Sequence, residues 1–382
     1  MHVGVCGIGY GHASRCKGLI EELSKRGEEV ISTSYAEGLR YLQSNGVNVI
    51  AVQRVDYGNS PDGSVSFRWS LLKGVTLPVK VATQVLQEMT VMEEFGADVA
   101  LSDTRGSTVL AAKALGVPVI VLLNQFRVII HSERHRTLSS VTSGFADVVA
   151  RVWSLADEVL IADYPPPFTI SRRNLFFRDD EIERVRFVGP VLDSYPTELP
   201  DRKRAKEELG LDPQDTLILI LNTGPRSERR ALRERLSESL EALTDYHVVF
   251  SLGELDAHRS EKRGRHLLVS WLPDETVVMA AADVVVSRAG HSTISKALAF
   301  GCRLVLLPIP NHSEQLGNAE SLAERGAAVT LDVRELTPNS LRKGVESALE
   351  LDPNVVGKYS SLASELNGRN EVVKRLQELC RS

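Results

Sequence analysis

The sequence has few cysteines and no apolar run long enough to cross a bilayer. Its four cysteines, Cys6, Cys16, Cys302 and Cys380, form no CxxC pair and no Cys/His ligand spacing. That scatter argues against a disulfide framework and against a structural zinc site. No apolar segment approaches the ~20 residues that a membrane span requires, and no basic leader precedes the first apolar run. The sequence therefore predicts an intracellular, cytoplasmic protein.

Aromatic residues are also scarce, and the chain has no excess of positive charge. Aromatic side chains make up 5% of the 382 residues, and the formal net charge is −5. The first value argues against a nucleic-acid binder that stacks bases, and the second provides no general attraction for nucleic acid or anionic lipid. Hydrophobic residues at 43% and charged residues at 25% are typical of a soluble globular protein. The length favours two domains.

Short β-branched runs alternate with amphipathic stretches along most of the chain. The runs in the first half are "HVGVCG", "EEVISTS", "VNVIAV", "ADVALSD", "VPVIVLLN" and "DEVLIAD". The runs in the second half are "TLILILN", "YHVVFSL", "HLLVSWL", "DVVVSRAG", "RLVLLPI" and "AAVTLD". This alternation predicts an α/β fold with parallel sheets.

The two series are separated by a stretch rich in proline and charge, "VRFVGPVLDSYPTELPDRKRAKEELGLDPQD". We therefore predict two Rossmann-like, doubly wound domains over 1–190 and 191–365, facing each other across a cleft. Residues 366–382 are expected to form a C-terminal helix that packs back toward the first domain. Ligands are expected at the carboxyl ends of the strands.

Three glycines and a histidine follow the first strand, in "CGIGYGHASR". A dinucleotide loop would have glycine in place of His12 and an acid about 20 residues later, where "STSYAEG" supplies serine and threonine. The loop therefore argues against NAD. Gly9, Gly11 and Arg15 are expected on the acceptor side, and His12 can take a proton near neutral pH. The alternative is that His12 caps the helix or bonds a carbonyl.

The stretch "SRAGHST" in the second half has the features of an anion site. Gly290 lies in the turn after a buried strand, and His291, Ser292 and Thr293 open the next helix. The N–H groups of a helix N-terminus bind a pyrophosphate, and Arg288 can add a charge-assisted contact. A second loop supplies further phosphate neighbours, namely Asn222, Thr223 and Gly224.

An aromatic residue and a polar pair lie near this anion site in the pattern of strands. Trp271 precedes Pro273 at the end of its strand, on the side where a nucleotide base would stack; the alternative is a core tryptophan. Glu314 and Gln315, in "PNHSEQLGNA", can hydrogen-bond sugar hydroxyls, and the alternative is a simple helix cap.

These motifs resemble the nucleotide-sugar glycosyltransferases of GT-B fold, both the bacterial cell-wall N-acetylglucosaminyltransferase and the plant secondary-product glycosyltransferases. "WLPD" is similar to the plant element whose tryptophan faces uracil, and "SRAGHSTISKALAFG" to the donor-phosphate turn and helix. "EQLGNA" resembles the pair that holds the donor sugar. The resemblance implies that the histidine of "GIGYGHASR", His12, is the catalytic base.

One position departs from this pattern. Where both groups usually have a glutamate for the ribose hydroxyls, this sequence has Lys296, which cannot accept hydrogen bonds. Lys296 is therefore expected either to reach a phosphate or to be a solvated helix position. This departure means that the nucleobase and the sugar of the donor are not determined by the resemblance.

We therefore predict an inverting hexosyltransferase that needs no metal and no cofactor, with a nucleotide-diphosphate sugar, UDP-based, as co-substrate. No DxD-like pair is placed to hold a divalent ion. Asp103, in "LSDTRGST", can orient His12, and the alternative is an N-cap for the following helix. A nucleotide-sugar 2-epimerase and a non-catalytic nucleotide-sugar-binding subunit are the alternative functions.

The acceptor hydroxyl is the least defined partner. The irregular segment 53–78, including Trp69 to Pro78, and the cluster Arg127, Arg134 and Arg136 suggest a lipid-linked or anionic acceptor at the inner membrane surface. Such a peripheral contact is an expectation, and the sequence carries no signal for an oligomeric state.

Overall fold

The computed structural model describes residues 1–55, 77–127, 147–177, 183–224, 226–255, 257–310 and 312–381. The chain divides into two compact units. The first contains the described residues as far as Asp193 together with those from Leu366 onward, and the second contains the described residues of Ser194–Glu365. Each unit is built around its own sheet.

In its described residues, the first unit has a seven-stranded parallel sheet of order β3-β2-β1-β4-β5-β6-β7. Its strands are β1 (His2–Val5), β2 (Ile31–Ser34), β3 (Val49–Ala51), β4 (Ala100–Asp103), β5 (Val119–Leu123), β6 (Glu158–Ile161) and β7 (Val185–Phe187). Its first helices are α1 (Gly11–Lys25), α2 (Ala36–Ser44), α3 (Leu77–Phe95) and α4 (Gly106–Leu115). The strand order reverses between β1 and β4, and such switch points are where ligands bind in open α/β sheets.

The described part of the second unit also has seven strands, in the order β10-β11-β9-β8-β12-β13-β14. They are β8 (Leu217–Leu221), β9 (His247–Ser251), β10 (Ser260–Arg263), β11 (His266–Val269), β12 (Val284–Ser287), β13 (Arg303–Leu306) and β14 (Ala328–Thr330). The pair β10–β11 is antiparallel, and the other pairs of this sheet are parallel. Here the strand order reverses between β8 and β12.

The helices continue along the chain through the second unit and beyond it. They are α5 (Arg202–Glu208), α6 (Arg226–Ser239), α7 (Glu275–Ala281), α8 (His291–Ala299), α9 (Ser313–Ala323), α10 (Pro338–Leu349), α11 (Pro353–Leu366) and α12 (Gly368–Arg381). Within the described residues, no helix combines the length and the apolar composition that crossing a membrane requires.

Both faces of the first sheet are buried at its strands β1, β2, β4 and β5, as expected for parallel strands flanked by helices. All five side chains of β5 are shielded from solvent, and they alternate between two apolar clusters. Ile120 and Leu122 join the cluster on α1, whereas Val119, Val121 and Leu123 join the cluster on α4. The sheet thus separates two apolar cores, one against α1 and one against α4.

The C-terminal helix α12 belongs to the first unit. Its Val372, Val373 and Leu376 are buried in the same apolar cluster as α1. Arg375 forms an ion pair with Glu158 at the start of β6. The end of the chain therefore contributes to the core that supports the N-terminal strands.

The predicted α/β architecture is confirmed, and the strand runs of both halves appear in the two sheets. Two strands were not predicted. β7 has three half-exposed or exposed residues, and β10, "SEKR", is exposed and polar throughout, so neither has the apolar pattern of a buried strand. Helix α1 ends at Lys25, and Gly27 follows with a φ of +84°, which glycine adopts without strain.

We predict that Gly253→Ala destabilises the protein much more than Gly210→Ala does. Both glycines have a left-handed backbone, with φ of +74° and +73°, so both substitutions cost about 1–2 kcal/mol of backbone strain. A Cβ at Gly253 would in addition overlap the carbonyl oxygen of Asn222, whereas one at Gly210 meets nothing within 4 Å. Urea unfolding midpoints measure the difference, and equal midpoints for the two variants would contradict it.

Candidate functional site

The glycine loop after β1 leads directly into helix α1. Gly9 has a φ of +69°, which glycine adopts without strain. Tyr10 is the N-cap residue and makes no side-chain capping bond, so His12 lies in the first turn of α1. His12 therefore does not cap the helix, and its imidazole is available for other contacts.

The imidazole of His12 lies against Asp103, the last residue of β4. His12 Nδ1 is 3.0 Å from Asp103 Oδ2, and it is also 3.1 Å from Nη2 of Arg15. Nδ1 can either donate a proton to the Asp103 carboxylate or accept one from Arg15. The carboxylate is a stronger acceptor for Arg15 than the imidazole is, so the geometry favours an Nδ1–H that donates to Asp103. The lone pair of the ring is then on Nε2, and 22% of the His12 side chain is exposed.

Asp103 is completely buried and is also paired with Arg15. Arg15 lies on α1, one turn after His12. Burial alone would raise the pKa of Asp103, but the Arg15 guanidinium and then His12 more than offset it and lower this pKa to about 2. The carboxylate is therefore ionised at neutral pH. Asp103 does not cap the next helix, because Arg105 is the N-cap residue of α4.

Arg15 was expected on the acceptor side of the loop, but its side chain is only 4% exposed. Its guanidinium donates to Asp103 and to Thr104 Oγ1, at 3.3 Å in the second case. Arg15 thus holds the carboxylate in place, and Gly9 and Gly11 are the predicted acceptor-side residues that remain next to His12 in the loop.

The turn that carries Asp103 is strained and anchored by a second buried ion pair. Thr104 has a φ of +59°, which is unfavourable for a β-branched residue. Arg105 donates to the carbonyl and the hydroxyl of Thr33 at 3.2 and 2.9 Å, and it forms an ion pair with Glu88 of α3. These contacts fix the backbone on the C-terminal side of Asp103.

Glu88 is completely buried among polar partners. It accepts a hydrogen bond from Thr33 Oγ1 at 2.8 Å, and its other oxygen lies 3.1 Å from His2 Nε2. Burial opposes ionisation, but Arg105 and then His2 outweigh it and lower the pKa of Glu88 to about 2. Sequence reasoning did not identify Glu88 or Arg105, because their separation along the chain gives no local signal.

In the second unit, the turn from β12 into α8 forms an uncapped helix N-terminus. Gly290 is the N-cap residue, makes no side-chain capping bond and is followed by no acidic residue in the first turn. Ser292 and Thr293 are half-buried, whereas Arg288 and His291 are buried. Asn318 Nδ2 donates to the carbonyl of Ala289 at 3.0 Å and so fixes the turn.

The loop after β8 uses its polar groups internally. Asn222 is buried, and its Nδ2 donates to the carbonyls of Arg229 and Leu252 at 2.9 and 3.3 Å. Arg229 Nη1 in turn donates to the carbonyl of Gly224 at 2.8 Å. The Asn222 amide therefore holds this loop together, and Thr223, which is half-buried, is the side chain of the predicted trio that remains for a ligand.

Neither Trp271 nor Lys296 has the burial that its alternative interpretation requires. Trp271 is half-buried, so it is not a core tryptophan. Lys296 is 5% exposed, so it is not a solvated helix position. Its Nζ lies 3.1 Å from Oε1 of Glu275, a residue that sequence reasoning did not single out.

The N-terminus of α9 is organised around His312, which the sequence analysis also missed. His312 Nδ1 accepts from the N–H of Gln315 at 3.4 Å, and Gln315 Oε1 accepts from the N–H of Ile309 at 3.0 Å. Burial, together with the charge of Arg288, lowers the pKa of His312 against the opposing effect of Glu314. Gln315 thus supports the loop, and Glu314 is half-buried in the first turn of α9.

The basic cluster proposed for an anionic acceptor is described only in part. Arg127 is 8% exposed, forms an ion pair with Asp147 and lies over the ring of Phe126. It is therefore part of the structure rather than a solvated cation. Arg134, Arg136 and residues 69–76 lie outside the described residues.

Comparison with known families assigns both halves of the chain. Residues 1–177 match the model of glycosyl transferase family 1, and residues 223–376 match the model of the glycosyltransferase family 28 C-terminal domain. The chain is a glycosyltransferase of GT-B fold.

Full-length relatives agree with this assignment. The glycosyltransferase is 28% identical over 337 residues to an uncharacterized glycosyltransferase of Methanopyrus kandleri, covering 87% of this chain and 92% of the relative. It is 25% identical to the UDP-N-acetylglucosamine--N-acetylmuramyl-(pentapeptide) pyrophosphoryl-undecaprenol N-acetylglucosamine transferase of Streptomyces coelicolor, covering 97% and 95%.

A solved structure shows the same fold. The glycosyltransferase superimposes on the glycotransferase of kitacinnamycin with a TM-score of 0.66, covering 99% of this chain and 98% of the other. The sequence identity of that pair is 21%.

We predict that Glu88→Gln destabilises the glycosyltransferase at pH 7 by about 3–5 kcal/mol, because Arg105 loses a buried counter-charge. The pKa of folded Glu88 is about 2, below the ordinary value of 4.5, so its ionic contribution is present above pH 4.5. This contribution disappears as the pH falls toward 2. The difference between wild type and variant should therefore shrink across that window.

Urea unfolding at pH 7, 4 and 3 measures this difference. Glu93→Gln is the matched control, since Glu93 is an exposed carboxylate on the same helix and should be neutral at each pH. A Glu88→Gln effect that stays constant across the three pH values would refute the prediction.

Proposed function

We propose that this glycosyltransferase transfers a sugar from a UDP-sugar to an acceptor hydroxyl with inversion, using no metal ion and no cofactor. The observation that carries the proposal is the contact between His12 Nδ1 and Asp103 Oδ2 at 3.0 Å. A histidine oriented by a buried carboxylate is a suitable general base for a hydroxyl.

In the proposed reaction, Nε2 of His12 takes the proton of the acceptor hydroxyl as its oxygen attacks the anomeric carbon. The bond from this carbon to the β-phosphate oxygen breaks on the opposite side, which inverts the configuration. Asp103 acts as a positioning residue that stabilises the imidazolium formed on His12. Arg15 keeps Asp103 ionised throughout, because their pairing is buried.

The leaving diphosphate is assigned to the N-terminus of α8. Its first turn lacks a side-chain cap and an acidic residue, so its N–H groups and partial positive charge suit a diphosphate. Arg288, at the end of β12, adds a cation to the same turn. Trp271 is assigned to the uracil ring and Glu314 to the hydroxyls of the transferred sugar.

The acceptor is proposed to be lipid-linked and to meet the enzyme at the membrane surface. The name of the Streptomyces coelicolor relative describes an acceptor linked to pyrophosphoryl-undecaprenol, and the two sequences match over 97% of this chain. Arg127 does not support this part of the proposal, because it is buried and paired with Asp147.

We predict that Gly290→Asp abolishes nucleotide binding without loss of stability. Gly290 has an ordinary φ of −72°, and a Cβ there meets nothing within 4 Å. An aspartate at this position caps α8 and places a negative charge where the diphosphate is proposed to bind. UDP at 100 times its Kd should stabilise the wild type by about 2.7 kcal/mol and leave the variant unchanged.

Thermal shifts with UDP and UDP-sugars provide the measurement. Gly290→Ala adds a methyl group without charge and should keep the shift, so it is the matched control. An undiminished UDP shift in Gly290→Asp would remove α8 from the donor site, and no shift in the wild type would refute the UDP donor.

We predict that His12→Ala lowers kcat by about 10²–10⁴-fold while the thermal shift with UDP is unchanged. The substitution removes the base and leaves the donor-binding residues of the second unit intact. His258→Ala, at an exposed histidine, should retain full activity. Full activity of His12→Ala in a sugar-transfer assay would exclude His12 as the base.

A further inference from the structure

A partly buried ion pair connects helix α7, which begins four residues after Trp271, to helix α8. Nζ of Lys296 lies 3.1 Å from Oε1 of Glu275, and the two residues are on different helices. Lys296 has 6% of its side chain exposed, whereas Glu275 has 32% exposed. The lysine is thus the buried partner, and the carboxylate is the group that solvent or a ligand can reach.

The chain positions of this pair place it next to both proposed donor contacts. Lys296 follows Ser292 and Thr293 by one turn on α8, so the three lie on neighbouring positions of one helix face. Glu275 is the first residue of α7, four residues after Trp271. In a nucleoside diphosphate the ribose connects the base to the first phosphate. A donor that reaches from Trp271 to the start of α8 therefore brings its ribose to the junction of α7 and α8.

The chemistry of the pair suits a ribose diol. The 2′- and 3′-hydroxyls offer two donors, and a carboxylate accepts them, whereas an ammonium group only donates. Lys296 occupies one oxygen of Glu275 and leaves accepting capacity on the carboxylate. The lysine also neutralises the carboxylate, which would otherwise repel a nearby diphosphate.

We propose that Glu275, positioned by Lys296, accepts hydrogen bonds from the ribose hydroxyls and so selects ribonucleotide donors over 2′-deoxyribonucleotide donors. This inference rests on the proposed function, because it assumes a nucleotide bound between Trp271 and α8. It assigns the ribose contact to a carboxylate on α7, while Lys296 of α8 acts through that carboxylate.

The test compares the Kd of UDP with the Kd of 2′-deoxy-UDP by calorimetry. Loss of one hydrogen bond to a charged acceptor corresponds to about a 10- to 100-fold weaker binding of the deoxy compound to the wild type. Glu275→Gln retains the size of the side chain and an oxygen for Lys296 but loses the charge. In this variant the ratio of the two Kd values should fall several-fold toward one, through weaker binding of UDP.

Two further variants complete the design. Glu350→Gln, at an exposed carboxylate of the same unit, should keep the wild-type ratio. Lys296→Met removes the positioning contact, and it should lower the ratio less when Glu275→Gln is already present than when it is introduced alone. This non-additivity separates positioning through Glu275 from an independent contact of Lys296.

Each outcome is decisive. Equal Kd values for UDP and 2′-deoxy-UDP in the wild type overturn the inference and leave the proposed function intact, and this arm needs no variant to fold. Equal weakening of both ligands in Glu275→Gln also overturns it, since the pair would then only hold the loop. Failure of the wild type to bind either ligand overturns the UDP donor and this inference together.

Discussion

The ion pair between Asp103 and Arg15 is the interaction on which the proposed catalytic pair depends. A buried carboxylate is costly unless a cation compensates it, and here the cation lies one turn from His12 on the same helix. The pair therefore attaches α1 to the end of β4 and fixes the position of the imidazole. Removal of either partner would leave an uncompensated buried charge beside His12.

Both units use the same device at the switch point of their sheets. In the first, Asp103 ends β4 and is held by Arg15 from the helix that follows β1. In the second, the turn after β12 is fixed by Asn318, and Lys296 joins α8 to Glu275. In both units, polar contacts thus fix the turn that follows a central strand of the sheet. The proposed reactive groups, His12 and the start of α8, are partly exposed.

Local patterns were sufficient to predict the α/β fold and most of its strands, because buried strands leave a signal over a few residues. The exposed strand β10 has no apolar pattern and was missed. Pairings between distant residues were also missed, such as Lys296 with Glu275, because nothing in a single sequence specifies which side chains meet across two helices. For the same reason Arg15 was interpreted as an open loop residue, although burial next to Asp103 gives it a supporting role.

The position of α12 has a consequence for how the protein folds during synthesis. Val372, Val373 and Leu376 complete the core on α1, yet nearly half of the chain lies between the strands of the first unit and this helix. At translation rates of ~5–20 residues per second, roughly 10–40 s pass between synthesis of the last strand of the first unit and synthesis of α12, which covers the apolar face of α1. The second unit can fold within that interval, so the N-terminal unit is the last to complete its core.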